Sequence, residues 1–358
     1  MGGHFDTLKQ GRNSNIELLR IVAMFFIVAH HAVWNSGVTD VYDWNALPAS
    51  MQFLQLWSAW GKTGINVFVL ISAYFMCTSS LTLRRFMKVF LEAKFYAIIC
   101  YLALLFGGYE VVTGKRLFML TFSLIRDVNV GFTGTFLALY LLIPFLNTLV
   151  KTLSRRSILL LICVLIVIYT GNATFFFHQE AYSELGWYVT LYFIGAYLRL
   201  YPHDWMKSRL VTGLGLLLAL FLACGAILAI DHSGLWHYVT PYYFTNNCQC
   251  LLSLTIAVLA VLWFANIDIG HRPIVNTVAS CTFGIYLIHT ASDAMRTWLW
   301  RDLFDMAGHA TGPLCKVVFY FVAVNIVVFF ACALIDLIRR CVVLLFSRSH
   351  SLKRLLDG

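Results

Sequence analysis

The chain has 358 residues, of which 60% are hydrophobic and only 12% are charged, and its mean hydropathy is +0.77. Soluble domains carry about twice that charged fraction, and apolar runs recur through the whole length, so the composition excludes a soluble globular protein. The net charge of +9 does not indicate nucleic acid as a partner. The basic residues are instead distributed as expected for contact with lipid and for a defined orientation in the membrane. We predict an all-α polytopic protein of the plasma or inner membrane, with the lipid bilayer as a partner.

Ten apolar stretches are long enough to cross a bilayer at about 20 residues each. Ten spans put both chain termini on the same side of the membrane. In that arrangement the loops on the terminal side hold 18 Lys and Arg residues, and the opposite loops hold seven. Because basic residues accumulate in cytoplasmic loops, we predict that both termini are cytoplasmic. The predicted helices lie near residues 16–34, 63–83, 87–107, 133–150, 157–172, 185–200, 209–230, 246–265, 276–295 and 314–338.

The predicted transmembrane domain covers residues 16–338, between a short N-terminal tail at 1–15 and a basic C-terminal tail at 339–358. Residues 117–125 are too few to span, and we expect them to be re-entrant or to lie along the interface. The ten cysteines fall mostly within apolar runs, and none forms a paired ligand spacing. We interpret them as small packing residues and expect no metal site.

The first apolar stretch, IELLRIVAMFFIVAHHAVW at 16–34, carries ionisable side chains that are costly inside a bilayer. Arg20 and His31 are 11 positions apart, which returns to the same helix face about 16 Å further along the axis. Glu17 precedes Arg20 by three residues and shares that face, whereas His30 points about 100° away and is interpreted as structural. An imidazole can take a hydroxyl proton near neutral pH. The stripe therefore predicts a catalytic site, the alternatives being an Arg20 that only extends to the headgroups and a His31 that only packs.

Arg20, ten residues and then His31 also match the Arg-x10-His signature of the acyltransferase-3 membrane proteins, which O-acylate sugars of lipopolysaccharide, exopolysaccharide and peptidoglycan. The chain resembles this family in further motifs in the same order, with Lys88 where a second arginine is usual and Ala73 where glycine is commoner. These motifs are GKTGINVFVLISAYFM (61–76), LRRFMK (83–88), FLALYLLIPFLNTLV (136–150), YFIGAYLRLY (192–201) and TFGIYLIHT (282–290).

The resemblance implies His31 as the general base, with Arg20 and Glu17 positioning it or the CoA of an acyl-CoA donor. An acyl-histidine intermediate is the rival chemistry. A nucleotide pyrophosphate needs cations at the cytoplasmic mouth, and the predicted CoA-binding residues are Arg84, Arg85, Lys88 and Ser72. The predicted acceptor-binding residues are Tyr286, His289 and Trp236. Plainer alternatives are that the basic residues anchor the topology and that Trp236 belongs to an interfacial aromatic belt.

The resulting prediction is a membrane O-acyltransferase that moves an acyl group, acetyl before succinyl, from cytoplasmic acyl-CoA to a hydroxyl of a cell-envelope or exopolysaccharide sugar. Acetyl-CoA would be a co-substrate, with no cofactor bound permanently, and the acceptor would be a glycan or lipid-linked sugar. The alternative is a non-enzymatic polysaccharide exporter or flippase. A transporter needs a substrate path but has no reason to require both CoA and an imidazole in the outer half of the bundle.

Overall fold

The computed structural model describes residues 13–42, 47–123, 131–176 and 183–348, apart from the side chains of Trp236 and of residues 346–348. Within these ranges all regular structure is helical. The α-helices are α1 (Ser14–Trp34), α2 (Ala49–Ser58), α3 (Gly61–Met76), α4 (Leu83–Phe106), α5 (Gly114–Phe122), α6 (Gly131–Thr152), α7 (Arg155–Ile166), α8 (Asn172–Phe175), α9 (Glu184–Leu200), α10 (Arg209–Ser233), α11 (Leu251–Asn266), α12 (Pro273–Ser280), α13 (Thr282–His289), α14 (Asp293–Arg296) and α15 (Leu314–Arg348). Short 3₁₀ segments lie at Val38–Val41, Asp204–Lys207 and Leu235–His237, and π segments at Val167–Gly171 and Thr297–Leu303.

Six helical segments in the described ranges are long and apolar enough to cross a membrane: α1, α4, α6, α10, α15 and the run from α7 through α8. A seventh results if α12–α13 and the helical segment after them count as one span, although they meet at a bend of 98°. The other predicted spans fall on α3, α9 and α11, which have 16, 17 and 16 residues. These helices are about 24–26 Å long, shorter than a hydrocarbon core of about 30 Å. The chain is thus a multi-pass membrane protein, while the count of ten spans and the side of the termini stay predictions.

The bundle has two ends, which we name the Ser14 end and the Trp34 end after the first and last residues of α1. α3 begins at the Trp34 end, because a Cβ added to Gly61 would lie 2.3 Å from Cγ of His30. α12 begins at the Ser14 end, where the Ser14 hydroxyl donates to Oδ1 of Asn276 at 3.0 Å. α3 therefore runs antiparallel to α1, and α12 runs parallel to it, as the predicted order of spans requires.

α3 and α9 pack closely against each other, and small residues permit this contact. A Cβ added to Gly195 would lie 2.7 Å from Cβ of Ala73 and 3.0 Å from the carbonyl oxygen of Leu70. Glycine at 195 therefore lets the two backbones approach, as small residues do between membrane helices. Beside this contact the indole N–H of Trp187 donates to Oδ1 of Asn66 at 2.9 Å. The two polar groups thus satisfy each other inside an apolar core.

A buried ion cluster joins α4 to α15 at the Ser14 end. Asp336 is 0% exposed and accepts hydrogen bonds from Nε of Arg339 at 2.8 Å and Nε of Arg340 at 2.6 Å. Nη2 of Arg339 donates to Glu92 of α4 at 2.7 Å. Two arginines and two carboxylates balance in charge, which lowers the cost of burying them. Because α15 continues to Arg348, the first part of the predicted C-terminal tail is helical.

α5 runs back along α4. The hydroxyl of Tyr101 donates to the carbonyl of Val111, just before α5, at 3.2 Å. Two turns earlier on α4, Nζ of Lys94 bonds the other end of α5, at the Leu120 carbonyl (3.0 Å), the Thr121 carbonyl (2.8 Å) and Oγ of Ser123 (2.9 Å). An ammonium group at this position complements the negative end of the helix dipole. α5 therefore runs from the Trp34 end back along the outside of α4. Residues 124 and 125 of the predicted stretch 117–125 lie outside the described residues, and whether the stretch is re-entrant or interfacial stays a prediction.

Candidate functional site

Two histidines from distant parts of the chain meet towards the Trp34 end. Nδ1 of His31, on α1, lies 2.9 Å from Nε2 of His289, the last residue of α13. His289 is 0% exposed; its ring lies 6.4 Å from that of Trp300, and its Nδ1 lies 2.6 Å from the carbonyl oxygen of Ile285. His31 is only half-buried. One ring of the histidine pair is thus fixed in the core, and the other remains accessible.

The hydrogen bonds of the histidine pair determine which nitrogen carries each proton. A carbonyl oxygen only accepts, so Nδ1–H of His289 donates to Ile285, and Nε2 of the neutral ring carries a lone pair. Nδ1–H of His31 therefore donates to His289. The lone pair of His31 is then on Nε2. His289 thus orients His31 in the way that the acidic residue of a catalytic triad orients its histidine. His31 is then able to take a proton at Nε2.

A sharp turn directly after His289 shapes the site. α13 ends where the hydroxyl of Thr290 donates to the carbonyl of Tyr286 at 2.6 Å. α14 follows Ser292, whose Oγ accepts a backbone N–H of the first turn at 3.1 Å, the usual role of a serine N-cap. The structure therefore divides the predicted span 276–295 into α12, α13 and α14, with the bend of 98° after α13. This bend brings Arg296 back towards the histidine pair.

Two cations lie within electrostatic range of the histidine pair. Lys62, the second residue of α3, and Arg296, the last of α14, both act on His31, and Arg296 also acts on His289. Nη1 of Arg296 bonds Oδ1 of Asp293 at 3.0 Å, while its Nε is buried with no hydrogen-bond partner among the described residues. Preorganised cations stabilise negative charge that develops on a reacting oxygen. A base and two such cations are thus gathered in one region.

An acidic and an aromatic side chain border the same region. Glu184, the first residue of α9, accepts a hydrogen bond from the hydroxyl of Thr135 at 3.1 Å and acts electrostatically on Tyr286. The ring of Tyr286 lies 6.4 Å from that of His31 and 6.0 Å from that of His289. Tyr286 and His289, both predicted from the motif at 282–290, therefore lie beside the predicted base.

A run of aromatic rings continues from Tyr286 along α6. The ring centroids of Tyr286 and Phe132 are 5.0 Å apart, those of Phe132 and Phe136 are 5.7 Å apart, and those of Phe136 and Tyr140 are 5.3 Å apart. The three α6 residues are spaced by four positions and so share one helix face. We name these four rings the aromatic track. Its α6 part is an uncharged wall about 12 Å long.

Cations lie at the Tyr140 end of the aromatic track. Both Arg20 of α1 and Arg85 of α4 act electrostatically on Tyr140. Nη1 of Arg20 lies 3.5 Å from Oε1 of Glu17, which is 6% exposed, so these two residues do share a face of α1. Nη1 of Arg85 donates to the Ser80 carbonyl at 2.9 Å. The predicted stripe of α1 thus has its cation at one end of the track and His31 at the other.

The remaining residues predicted for CoA lie differently. Arg84 and Lys88 are exposed, and Lys88 acts on Glu92 of the buried ion cluster. The hydroxyl of Ser72 donates to the carbonyl of Phe68 on its own helix at 2.8 Å. Of the predicted α4 cations, it is therefore Arg85 that acts on Tyr140.

Three further predictions concern His30, Trp236 and metals. Nδ1–H of His30 donates to the Ser58 carbonyl at 2.7 Å, and its ring stacks on Trp34 at 5.4 Å. The ring also lies 5.6 Å from that of His31, but both of its described contacts hold it in the packing of α1. The side chain of Trp236 lies outside the described residues. In the described ranges, no group of three or more His, Cys, Asp or Glu side chains is placed to hold a metal ion.

Sequence reasoning missed Lys62, Arg296 and Glu184 as members of this region. It counted Lys62 and Arg296 only as basic residues of outer loops. A signal for Arg296 was present, because Ser292 followed by Asp293 is an N-cap with an acidic first turn and marks a helix start inside the predicted span. Glu184 carries no such signal, since its neighbours in the site come from other helices.

Comparison with models of protein families gives a match over most of the chain. A family model described as an acyltransferase domain matches residues 13–334, a range that includes α1, the aromatic track and both histidines. No curated protein and no solved structure gives a significant match to the chain.

Proposed function

The chain belongs to the acyltransferase-3 family, and from that premise we propose that it transfers a short acyl group, acetyl first of all, from acyl-CoA to a hydroxyl of a cell-envelope or exopolysaccharide sugar. One observation carries the proposal. The aromatic track connects Arg20 and Arg85 to His31 and His289. This arrangement offers a place for each part of acyl-CoA and a base where the acyl group would arrive.

The donor would enter from the Ser14 end, which on this proposal faces the cytoplasm. Arg20 and Arg85 would hold the CoA diphosphate, because a guanidinium group matches phosphate oxygens in geometry and charge. The pantetheine arm is thin and nearly neutral, and it would lie along Phe136 and Phe132. Arg20 and His31 are about 16 Å apart along α1, a distance comparable to the length of that arm. Acyl-CoA is a co-substrate in this account, and no cofactor stays bound.

The transfer step uses Nε2 of His31 as the base. It takes the proton of the acceptor hydroxyl while the hydroxyl oxygen attacks the thioester carbonyl carbon. Negative charge passes to the carbonyl oxygen, where Lys62 would stabilise it. The carbon–sulfur bond then breaks, and the imidazolium gives its proton to the thiolate, so that CoA leaves as a thiol. Attack by Nε2 itself, which would form acyl-His31, is the alternative, and it predicts a burst of CoA release without acceptor.

The test is mass spectrometry of the host's surface polysaccharides. A strain that lacks the gene is compared with strains complemented by the wild type or by His31→Ala, with equal amounts of protein in the membrane. We expect an acetyl-sized mass increment that is lost on deletion and restored by the wild type alone.

Two results would overturn the proposal. Full complementation by His31→Ala would exclude His31 as the base. Loss of the glycan from the cell surface, with no change in its acylation, would favour the polysaccharide exporter. Purified protein gives a second measurement, because an acyltransferase of this type should bind acetyl-CoA and an exporter should not.

A further inference from the structure

A polar cavity lies against the turn that follows His289. It has a volume of about 310 Å³ and lies between α4, α5 and the turn from α13 to α14. Its size is at the lower end of the roughly 300–1,000 Å³ of small-molecule sites, which suits a single sugar unit. Its polar lining includes Tyr101, Arg116, Ser123, Thr290, Ser292 and Arg296.

The cavity adjoins the histidine pair through two features. Its wall at Thr290 to Ser292 follows His289 directly in the chain. Arg296 lines the cavity and also acts electrostatically on His31 and His289. A molecule bound in this cavity would therefore lie against the turn that directly follows His289.

Two guanidinium groups line the cavity from different helices. Arg116 comes from α5 and pairs with Glu110, and Arg296 comes from α14 and pairs with Asp293 at 3.0 Å. Each arginine side chain is 39% exposed, and a guanidinium has five N–H donors, so each keeps donors for a ligand. Nε of Arg296 is buried and has no hydrogen-bond partner in the described part of the chain. Two such groups in one cavity suit a carboxylate or a phosphate.

The hydroxyl groups of the cavity are largely committed to the protein as donors. The hydroxyls of Tyr101, Ser123 and Thr290 donate to the carbonyls of residues 111, 120 and 286. They therefore offer lone pairs, which can accept hydrogen bonds from sugar hydroxyls. Lys94 fixes the α5 wall through its three bonds to the end of that helix. The cavity thus presents acceptors for hydroxyl groups and two cations for an acid.

We propose that this cavity is the acceptor subsite and that it selects a sugar unit bearing, or adjoining, a carboxylate or phosphate group. The inference rests on the proposed function, since it assigns the acceptor of the same site. Arg116 and Arg296 hold the anionic group, and the sugar hydroxyl to be acylated points towards His31.

The experiment has a cellular and an in vitro part. In the complemented strains, the acetylated repeat unit is identified by mass spectrometry and its charged groups are assigned. The unacetylated glycan from the deletion strain then serves as the acceptor for purified full-length protein in phosphatidylcholine nanodiscs, with saturating acetyl-CoA. The variants are Arg116→Gln, Arg116→Lys, the neighbouring Lys115→Gln, and Glu110→Gln, which breaks the same ion pair but keeps the guanidinium.

We expect an acetylated unit that carries or adjoins an acidic group. Arg116→Gln should raise the KM for the glycan at least fivefold with kcat and acetyl-CoA KM unchanged, Arg116→Lys should recover part of the loss, and Lys115→Gln and Glu110→Gln should match the wild type. Two results would overturn this inference but leave the proposed function intact: an acetylated glycan with no acidic group near the modified unit, or an Arg116→Gln enzyme with wild-type KM. Failure of wild-type protein to restore any acetyl increment would instead overturn the proposed function.

A lipid headgroup is the other source of a phosphate at this cavity. The same assays are therefore repeated in nanodiscs that contain phosphatidylglycerol. If Arg116 holds the glycan, the fivefold effect of Arg116→Gln persists in both lipids. If the effect appears only with the anionic lipid, the cavity binds a headgroup and the acceptor assignment is wrong.

Discussion

Replacing His289 by glutamine or by asparagine separates its two hydrogen bonds. The amide of glutamine lies where Nε2 of histidine lies, and its oxygen can accept the Nδ1–H of His31. The amide of asparagine lies where Nδ1 lies, so it can still donate to the carbonyl of Ile285 but does not reach His31. We therefore expect His289→Gln to retain most of the activity and His289→Asn to lose it.

The magnitude follows from the bond that is lost. In the wild type, Nδ1–H of His31 bonds Nε2 of His289 at 2.9 Å. In His289→Asn this acceptor is missing, so the N–H group loses a neutral hydrogen bond and is left unsatisfied, at a cost of about 1–3 kcal/mol. If that cost falls on the orientation of the base in the transition state, kcat drops about 5- to 150-fold. His31→Ala removes the base itself and should cost about 10²- to 10⁴-fold. The KM for acetyl-CoA should stay unchanged, because Arg20 and Arg85 lie at the other end of the aromatic track.

The assay is steady-state acetyl transfer by purified variants, with the thermal unfolding midpoint measured for each. His30→Asn is the matched control, since an amide at the Nδ1 position of residue 30 keeps the bond to the Ser58 carbonyl. It should retain wild-type kcat. A His289→Asn enzyme with wild-type kcat would refute the orienting role of His289, and equal losses in the asparagine and glutamine variants would show that the effect is structural.

Three further predictions concern the donor end and the helix contacts. Arg85→Gln should raise the KM for acetyl-CoA about 3- to 10-fold, at the lower end for a charged hydrogen bond because Arg85 is exposed, whereas Arg156→Gln, an exposed arginine elsewhere, should not; equal KM values would contradict the assignment. Gly195→Ala should lower the free energy of unfolding in detergent by about 1–3 kcal/mol through overpacking, while Gly225→Ala, with no atom within 4 Å of the added Cβ, should raise it by up to about 1 kcal/mol. Asp336→Asn should destabilise by about 3–5 kcal/mol, since it leaves buried arginines without their carboxylate, and an unchanged unfolding midpoint would exclude that role.

The family and the α1 stripe were accessible from the sequence because both depend on local spacing. Arg20 and His31 share a face for reasons of helix period alone, and the motifs follow one another along the chain. The family prediction is confirmed by the match over residues 13–334. The roles of the individual site residues stay predictions, although the structure brings Tyr286 and His289 beside His31.

The rest depended on contacts that no local pattern encodes. His31 and His289 are 258 positions apart, and their hydrogen bond follows from the way α13 packs beside α1. Arg84, Arg85 and Lys88 are equivalent as a basic motif, and only the position of α6 shows that Arg85 acts on Tyr140. An apolar run also predicts the length of a span but not whether its helix is continuous. The predicted span 276–295 therefore did not reveal the turn that precedes Arg296.

The ion cluster at the Ser14 end has a consequence for how the last helix enters the membrane. If the C-terminus is cytoplasmic, as predicted, Arg339 and Arg340 act as retained charges during insertion, and the nearby Asp336 does little to weaken them because carboxylates contribute weakly to orientation. After insertion the same two arginines form ion pairs with Asp336 of their own helix and with Glu92 of α4. In that predicted topology the residues that orient α15 during insertion are the ones that later hold it against α4, and the helix can complete these contacts only if it has entered in the correct direction.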